Sequence, residues 1–397
     1  MSVDSIAIAY DCLFPYTTGG GERQYRAFAD ELVRRGRRVD YLTARQWDDP
    51  PPATGFRVLP VAGRLRLYDE AGVRRTTAAL EYAWGLFRAL LRNRRRYDAI
   101  IVSGLPVLNV FAARFALLGS RTRIVVDYLE VWRRAQWVEY TGRLTGTIAW
   151  ALQRLAIAVT PIATCHSALS AERLQAEGLR SRPLVSPGLI DSVADVDFVP
   201  SSEVPPKVLY AGRHIPDKRV EVLPAAVAAA REHIPDLELV VLGKGPSTPE
   251  IESAAQGRDW IRMPGFVSDE QLGAYMGGAA CLVNPSRREG YGLVVVEAAA
   301  SGTPVVLVDD PGNAATELIT PGENGYIAHS TSPEDLSSAI LAAIRGGDAL
   351  RARARGWYET AVHTRTIEKT VGRILEVLDG DRRHRAARPA ATERNDA

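Results

Sequence analysis

Short apolar segments alternate with amphipathic helical segments along this chain, and the alternation occurs in two separate series. In the first series the apolar segments are SIAIAYD, RVDYLTA, FRVLPV, DAIIVSG and RIVVDYL. In the second series they are KVLYAG, LELVVLG, ACLVNP and PVVLVDD. Strands that alternate with helices form parallel sheets whose faces are covered by helices. The sequence therefore predicts an α/β fold of two doubly wound, Rossmann-like domains that face a central cleft.

The residues between the two series differ in composition from both. The stretch SPGLIDSVADVDFVPSSEVPP is rich in Pro, Ser and Asp and lacks periodicity, which indicates a linker. A length of 397 residues is also natural for two domains. The predicted divisions are an N-terminal domain (1–190), a linker (191–206), a C-terminal domain (207–363), a last helix (364–380) and a charged, disordered tail (381–397).

Bulk composition excludes several classes of protein. The net charge of +2 gives no electrostatic reason to bind nucleic acid. The three cysteines, Cys12, Cys165 and Cys281, lie in apolar stretches without pairing or metal-ligand spacing, as in a reducing cytosol. The N-terminal sequence lacks a signal-peptide pattern, and no apolar run is long enough to span a bilayer. A cytoplasmic location is expected.

In doubly wound sheets, ligands bind at the carboxyl ends of the strands, so the loops after strands are the candidate sites. The loop TTGGG (Thr17–Gly21) follows the first strand and precedes a helix expected over 22–36. Its glycines permit close backbone approach, and the helix N-terminus favours an anion. It is not the GxGxxG fingerprint, which argues against NAD. A plain flexible turn remains the alternative.

Two loops of the second series carry cations. In AGRHIPDKR, Arg213 and Lys218 lie five positions apart around a turn, where both are able to reach one diphosphate. Two solvated surface cations are the alternative. In LGKGP, the glycines permit close ligand approach, whereas Lys244 is expected to be simply exposed.

The stretch SRREGYGLVVVEAAASGTPVV places two carboxylates among apolar residues. Glu289 is expected in a loop, and Glu297 in the second turn of a helix that begins near Gly292. A buried carboxylate is costly unless it receives hydrogen bonds, and sugar hydroxyls are suitable donors. The arrangement Glu-Gly-Tyr-Gly, then Glu, then Gly-Thr-Pro-Val-Val between two strands is far more specific than a Glu-x7-Glu spacing alone.

With these motifs the chain resembles the retaining glycosyltransferases of family 4 (glycosyl transferases group 1), which have the GT-B fold. The resemblance covers about residues 5–380 and is denser in the second domain. The matching residues are Gly19–Gly21, Gly212-Arg213 with Lys218, Gly265-Phe266-Val267, Pro285–Glu297, Gly302-Thr303-Pro304 and Pro321–Gly325. The family also implies that the last helix crosses back onto the first domain, which is the acceptor side.

The resemblance implies roles for individual residues. Arg213 and Lys218 would bind the donor diphosphate, Glu289 the transferred sugar and Glu297 the ribose; Glu289, Arg213 and Lys218 are the candidate catalytic set. The implied donor-binding residues are Gly20, Gly21, Gly212, Arg213, Lys218, Gly243, Phe266, Val267, Glu289, Gly290, Tyr291, Gly292, Leu293, Val294 and Glu297.

The implied activity is that of a retaining, metal-independent hexosyltransferase. It would use a nucleotide-sugar donor, UDP- or GDP-linked, and a hydroxyl acceptor on a lipid, glycan or small metabolite, with no separate cofactor. The sequence does not fix the base, the sugar, the acceptor or the oligomeric state.

One position departs from the family pattern. Some members carry a histidine in a Trp-His-Glu-Val-Trp pattern, whereas this chain has Leu129 in Tyr-Leu-Glu-Val-Trp. The departure keeps open a catalytically impaired, nucleotide-sugar-binding or regulatory protein, and an epimerase on the same fold. His166 is a weaker candidate for the missing histidine, since a histidine near a strand end is more often a satisfied polar residue.

Two further alternatives concern metal and membrane. Asp195-Val196-Asp197 fits a metal motif literally but lies in the linker, and Asp309-Asp310 has the wrong spacing, so no metal is expected. The stretch WRRAQWVEYTGRLTGTIAWALQRLA (132–156) mixes arginines, tryptophans and apolar residues. It is either an amphipathic helix packed on the sheet or a peripheral membrane contact at the inner face of the membrane.

Overall fold

The computed structural model describes residues 3–49, 54–69, 73–191 and 206–386. Its centre consists of two parallel sheets, the first built from residues 5–185 and the second from residues 207–328. The predicted α/β class with two doubly wound domains is therefore confirmed. Most of the expected linker, with its Asp195-Val196-Asp197 motif, lies outside the described residues.

The first sheet has seven strands in the order β3-β2-β1-β4-β5-β6-β7. The strands are β1 (Ser5–Ala9), β2 (Arg38–Ala44), β3 (Arg57–Ala62), β4 (Ala99–Ser103), β5 (Arg123–Tyr128), β6 (Ile162–Cys165) and β7 (Leu184–Val185). Its helices are α1 (Gly20–Arg34), α2 (Thr76–Arg92), α3 (Leu108–Ala116), α4 (Arg134–Thr141), α5 (Arg143–Ala158) and α6 (Ala168–Ala176). Because the chain leaves β1 in one direction and returns through β4 in the other, the topological switch point lies between β1 and β4.

The second sheet has six strands in the order β10-β9-β8-β11-β13-β15, and a small pair β12-β14 lies beside it. The strands are β8 (Lys207–Ala211), β9 (Glu238–Leu242), β10 (Ile261–Gly265), β11 (Cys281–Asn284), β12 (Arg288–Glu289), β13 (Val305–Val308), β14 (Gly312–Asn313) and β15 (Gly325–Ala328). The helices are α7 (Leu223–Arg231), α8 (Thr248–Ala255), α9 (Asp269–Gly277), α10 (Leu293–Ala300), α11 (Pro333–Arg345), α12 (Gly347–Thr364) and α13 (Ile367–Ala386). Its switch point lies between β8 and β11.

Helices cover both faces of the first sheet. Side chains of α1, such as Phe28, pack with Ile6 and Ile8 on one face. Side chains of α2, α3, α5 and α6 pack on the other face, together with Ala7, Ile100 and Val102. These strands are buried on both faces, which is why they read as continuous apolar runs.

The last helix returns from the second domain to the first. In α13, Val371, Ile374 and Leu378 are buried in the core cluster that contains α1. The backbone N–H of Val3 donates to Asp379 at 3.0 Å. This helix begins at Ile367, three residues later than expected. It continues to Ala386, so the first six residues of the expected disordered tail are helical, and the others lie outside the described residues.

Two expected helices differ in detail from the structure. The helix expected over 22–36 spans Gly20–Arg34, because it already begins inside the glycine loop. The stretch RVEVLPAAVAAAREH starts as a 3₁₀ turn (Val220–Val222), and α7 begins only at Leu223. Pro224 lacks a backbone N–H and is tolerated in the first turn of a helix, which favours a start at this point.

The stretch 132–156 forms two helices, because Gly142 interrupts it with a φ of 89°. In α5, Gln153, Ala156 and Ile157 are buried, the last two in the core beneath the first sheet. One side of α5 is therefore packed on the sheet. No helix among the described residues combines the length and the apolar character that crossing a membrane requires.

Candidate functional site

The loops at the two switch points meet between the domains. From the second domain come the loop after β8 (212–219) and the loop after β11 (285–292). From the first domain come the glycine loop before α1 and the residues after β5. A methyl group added at Gly20 would lie 3.5 Å from the Leu293 side chain. The N-termini of α1 and α10, both of which attract anions, therefore lie close together across the cleft.

Glu289 and Lys218 form a largely buried ion pair in this site. The side chains are 15% and 18% exposed, and the Lys218 ammonium donates directly to the Glu289 carboxylate. Asn284 Nδ2 and Ser286 Oγ also donate to Glu289, at 2.9 and 3.0 Å. Burial by itself would raise the pKa of Glu289, but Lys218 and these two donors outweigh burial and lower it. The site thus holds an ionised carboxylate shortly before the N-terminus of α10.

Arg213 lies in the same loop as Lys218 but has a different environment. It is exposed, and desolvation alone would lower its pKa, but attraction to Tyr68 and Glu22 of the first domain outweighs that effect and raises it. Tyr68 belongs to the segment between β3 and α2, which the sequence did not single out. The geometry therefore brings one predicted cation onto Glu289 and leaves the other facing the opposite domain.

Neighbouring arginines brace the two loops of the second domain. Arg219 Nε donates to the Pro285 carbonyl at 2.8 Å, and its Nη1 lies 3.3 Å from Asp310. Arg219 has a φ of 48°, an unusual conformation for a residue with a side chain. Arg288 pairs with Asp217 and stacks over Trp132 of the first domain, 4.1 Å from the ring centroid. Nothing in the sequence spacing distinguished these bracing arginines from solvated ones.

Glu297 also has a partner from the first domain. Arg23, in the first turn of α1, donates to its carboxylate at 2.9 Å. Burial raises the pKa of Glu297, and Arg23 offsets only part of that increase. The expected ribose-binding carboxylate is therefore occupied by a cation that follows the glycine loop directly, and the sequence analysis missed Arg23.

Gly290 allows the second domain to approach Leu129 of the first closely, and Gly21 allows α1 to pack against Leu129 within the first domain. A methyl group added at Gly290 would lie 2.2 Å from the Leu129 carbonyl oxygen, and one added at Gly21 would lie 3.1 Å from the Leu129 side chain. No larger residue fits either position without displacement. Tyr291, Gly292, Leu293 and Val294 continue from Gly290 into α10, so their backbone lies at the same junction.

The other expected donor-binding residues lie beside β9 and β10. Gly243 has a φ of 108°, and a methyl group added there would lie 1.9 Å from the Gly212 carbonyl oxygen. Phe266 is 74% exposed directly after β10, whereas Val267 packs against the core. An exposed aromatic ring at the mouth of a cleft offers a stacking surface for a planar group.

His166 lies in the interior of the first domain. It is buried, lies 3.0 Å from Asp127, and contacts Ser186 and Gln24 at 2.8 and 2.7 Å. Burial would raise the pKa of Asp127, but His166, Thr164 and Tyr25 together lower it. His166 is thus a satisfied polar residue of the first domain, as its weaker standing as a candidate implies.

Metal-binding geometry is not found in the described parts of the chain. Within them, no group of three or more His, Cys, Asp or Glu side chains is placed to hold a metal ion. Asp310 pairs with Arg219 and accepts from the Gly312 backbone N–H.

Comparison with protein families gives two matches. Residues 19–188 match the family described as glycosyl transferase 4-like domain. Residues 205–345 match the family described as glycosyl transferases group 1. Together the two matches cover most of the chain and coincide with its two sheets.

A curated relative supports the same family assignment. A phosphatidyl-myo-inositol mannosyltransferase of Propionibacterium freudenreichii is 33% identical over 142 residues, which are 35% of this chain and 34% of that protein. The chain spans between about a third and just over half of the length of the curated relatives it matches.

Solved structures are similar over nearly the whole chain. Sucrose-phosphate synthase from Thermosynechococcus elongatus has a TM-score of 0.79 at 18% identity, covering 97% of this chain and 100% of that one. Anabaena HepE in complex with UDP-glucose has a TM-score of 0.70 at 15% identity, covering 95% and 99%. At these identities the likeness shows the fold alone, and that fold is GT-B.

Proposed function

Since this chain belongs to the glycosyl transferases group 1, with a glycosyl transferase 4-like first domain, we propose that it is a retaining hexosyltransferase. It would move a hexosyl unit from a nucleoside diphosphate sugar to an acceptor hydroxyl without a metal ion. The observation that carries this proposal is the Lys218–Glu289 pair at the helix entrance, with Arg213 beside it in the cleft.

Charge stabilisation is the main task of such a site. When the bond between the sugar carbon and the diphosphate oxygen breaks, negative charge builds up on the leaving diphosphate. Lys218, Arg213 and the backbone N–H groups at the starts of α1 and α10 would stabilise that charge in a partly closed cleft. Glu289, held ionised by Lys218, would accept hydrogen bonds from hydroxyls of the transferred sugar.

The remaining steps need few protein groups. The acceptor oxygen would attack the sugar carbon from the face that the diphosphate leaves, which retains the configuration. Its proton would pass to a leaving phosphate oxygen, so no dedicated protein base is required. Closure of the domains at Leu129 and Gly290 would exclude water.

The activity assay is a panel of UDP-, GDP-, ADP- and dTDP-sugars with lipid, glycan and small-molecule acceptors. Thermal shifts identify the nucleotide, because a ligand bound only by the folded state raises Tm. Released nucleoside diphosphate is then measured with and without EDTA. We expect acceptor-dependent release that EDTA does not change. Activity abolished by EDTA and restored by magnesium would contradict the metal-independent mechanism.

Leu129 supports a second candidate function, a protein that binds the nucleotide sugar without turning it over. The leucine replaces a residue that is thought to contact the transferred sugar in some family members, and His166 is already hydrogen-bonded to Asp127 and Ser186. Tight nucleotide-sugar binding without release of nucleoside diphosphate, across the whole panel, would favour this candidate. Conversion of the donor sugar without any acceptor would instead indicate an epimerase.

Arg23→Ala is expected to strengthen nucleoside diphosphate binding by no more than about fivefold. Arg23 competes with ribose hydroxyls for Glu297, and an ion pair this exposed contributes up to about 1 kcal/mol. Glu297→Gln should weaken binding, because an amide accepts hydrogen bonds less well than a carboxylate. Isothermal titration with UDP and GDP measures both variants, and Arg26→Ala on the same helix is the control. Weaker binding by Arg23→Ala would show that Arg23 contacts the nucleotide itself.

A further inference from the structure

One outer face of the first domain carries large apolar side chains on three adjacent helices. Helices α2 and α3 pack side by side on one face of the sheet, with α5 next to them. The exposed side chains that form this apolar helix face are Leu80, Trp84 and Leu91 of α2, Phe115 and Leu118 at the end of α3, and Leu144, Ile148 and Leu155 of α5. Trp84, Phe115, Leu118 and Leu144 are each between 61% and 76% exposed.

The exposed apolar residues are regularly spaced along α2 and α5. Leu80, Trp84 and Leu91 recur at helical intervals, as do Leu144, Ile148 and Leu155 in α5, so each series forms one stripe. The opposite sides of the same helices are already buried, through residues such as Tyr82, Leu86 and Ile157. A helix on the surface of a soluble domain normally has polar residues on its outer side. Contiguous exposed apolar patches mark interaction surfaces.

The segment that carries this face is rich in positive charge. Residues 73–156 contain fourteen arginines, no lysine and five acidic residues. Within the described residues, five arginines on or beside these helices form no ion pair: Arg88, Arg92, Arg95, Arg121 and Arg143. Of the acidic residues, Asp127 is buried in the core and Glu81 is exposed on α2.

We propose that the apolar helix face docks on the surface of an anionic phospholipid bilayer. Apolar side chains among unpaired arginines suit a surface with an acyl interior and negative head groups. A second copy of this chain suits the face poorly, because a two-fold interface places each patch against itself and would bring arginines against arginines.

The docked face would also border the cleft. Helix α2 begins two residues after Arg74, which forms an ion pair with the buried Asp11 at the carboxyl end of β1. The apolar stripe of α2 therefore starts near the cleft. A hydroxyl on a lipid head group would have a short path from the bilayer to the site.

Vesicle flotation of the full chain tests the proposal. Wild type should float with phosphatidylcholine vesicles that contain about 30% phosphatidylglycerol. It should not float with vesicles of phosphatidylcholine alone. Trp84→Ser with Leu91→Ser should lower the partition coefficient by at least about tenfold. Arg88→Glu with Arg92→Glu should lower it by a similar factor, and this loss should shrink at high salt.

The control substitutions lie outside the apolar helix face. Val377→Ser changes an exposed apolar residue of α13, and Arg345→Glu with Arg373→Glu reverses two exposed arginines elsewhere; both should float like wild type. UDP or GDP binding should be unchanged in every variant, which separates a folding defect or a failed functional proposal from a failed docking proposal. Equal flotation of wild type and Trp84→Ser/Leu91→Ser would overturn the proposal. So would a stable dimer that the same substitutions dissociate.

Discussion

Lys218→Ala is expected to lower kcat/KM for the donor by about 10²–10³-fold, the usual cost of removing one preorganised donor from a charge-stabilising site. The ammonium has two functions in the proposed mechanism. It would neutralise the leaving diphosphate, and it holds Glu289 in its ionised form. The measurement is release of nucleoside diphosphate under steady-state conditions. Lys244→Ala is the matched control, since Lys244 is the exposed lysine after the adjacent strand β9.

The same substitution should also change the pH dependence of stability. In wild type the pKa of Glu289 is lowered, so its stabilising contribution is present above the unfolded-state pKa of about 4.3. That contribution is lost as the pH falls through the lower, folded-state value. Without Lys218, burial becomes the dominant influence and raises the pKa of Glu289. The variant should be less stable than wild type by about 3 kcal/mol at neutral pH, and by less at pH ~5, where protonation relieves the buried charge.

Urea unfolding at both pH values measures this difference. Lys218→Met with Glu289→Gln removes both charges together and should recover most of the lost stability without recovering turnover. A Lys218→Ala variant with wild-type turnover would contradict the role assigned to the pair. A stability difference that grows toward acid pH would contradict the assigned charge state of Glu289.

Gly290→Ala is expected to reduce kcat by about 10²-fold, because a misplacement of about 1 Å at a reacting centre has effects of that size. The added methyl group would lie 2.2 Å from the Leu129 carbonyl oxygen, and a backbone atom cannot rotate away as a side chain can. The two domains would therefore remain slightly apart. Nucleotide affinity should change much less than kcat, since Lys218 and Glu297 belong to the second domain and only the N-terminus of α1 would be displaced.

Steady-state kinetics, nucleotide titration and small-angle scattering together test this prediction. Gly356→Ala is the control, because a methyl group at Gly356 of α12 meets no atom within 4 Å. We expect the Gly290 variant to have a larger radius of gyration with donor bound than wild type. Unchanged kcat would show that contact at Leu129 is not needed for turnover.

The sequence predicted the fold and singled out Glu289 for physical reasons. Strands buried on both faces, such as β1 and β11, are continuous apolar runs, and glycines mark the loops where backbone segments approach closely. The buried Glu289 was recognisable because a carboxylate between apolar strands requires donors. In the structure those donors are Lys218, Asn284 and Ser286, all from the same domain.

The parts that could not be predicted are contacts between the domains. Arg23 and Glu297 are 274 positions apart, and Tyr68, which raises the pKa of Arg213, belongs to a segment without any motif. Such pairs depend on the relative orientation of two folded domains, and no local sequence pattern indicates that orientation. The apolar helix face was predicted only in part. The composition of 132–156 indicates the stripe on α5, whereas the stripe on α2 is recognisable only from the burial of the opposite side of that helix.

The return of α13 to the first domain has a consequence for protein synthesis. The side chains Val371, Ile374 and Leu378 complete a core whose other members, such as Phe28 and Leu32, leave the ribosome more than 300 residues earlier. Until translation reaches the last helix, that nascent domain has an uncovered apolar groove, the kind of surface that binds chaperones or aggregates. Ribosomes that stall late in translation should therefore release incomplete chains that aggregate or bind chaperones, even though every strand of the first sheet has already been synthesised.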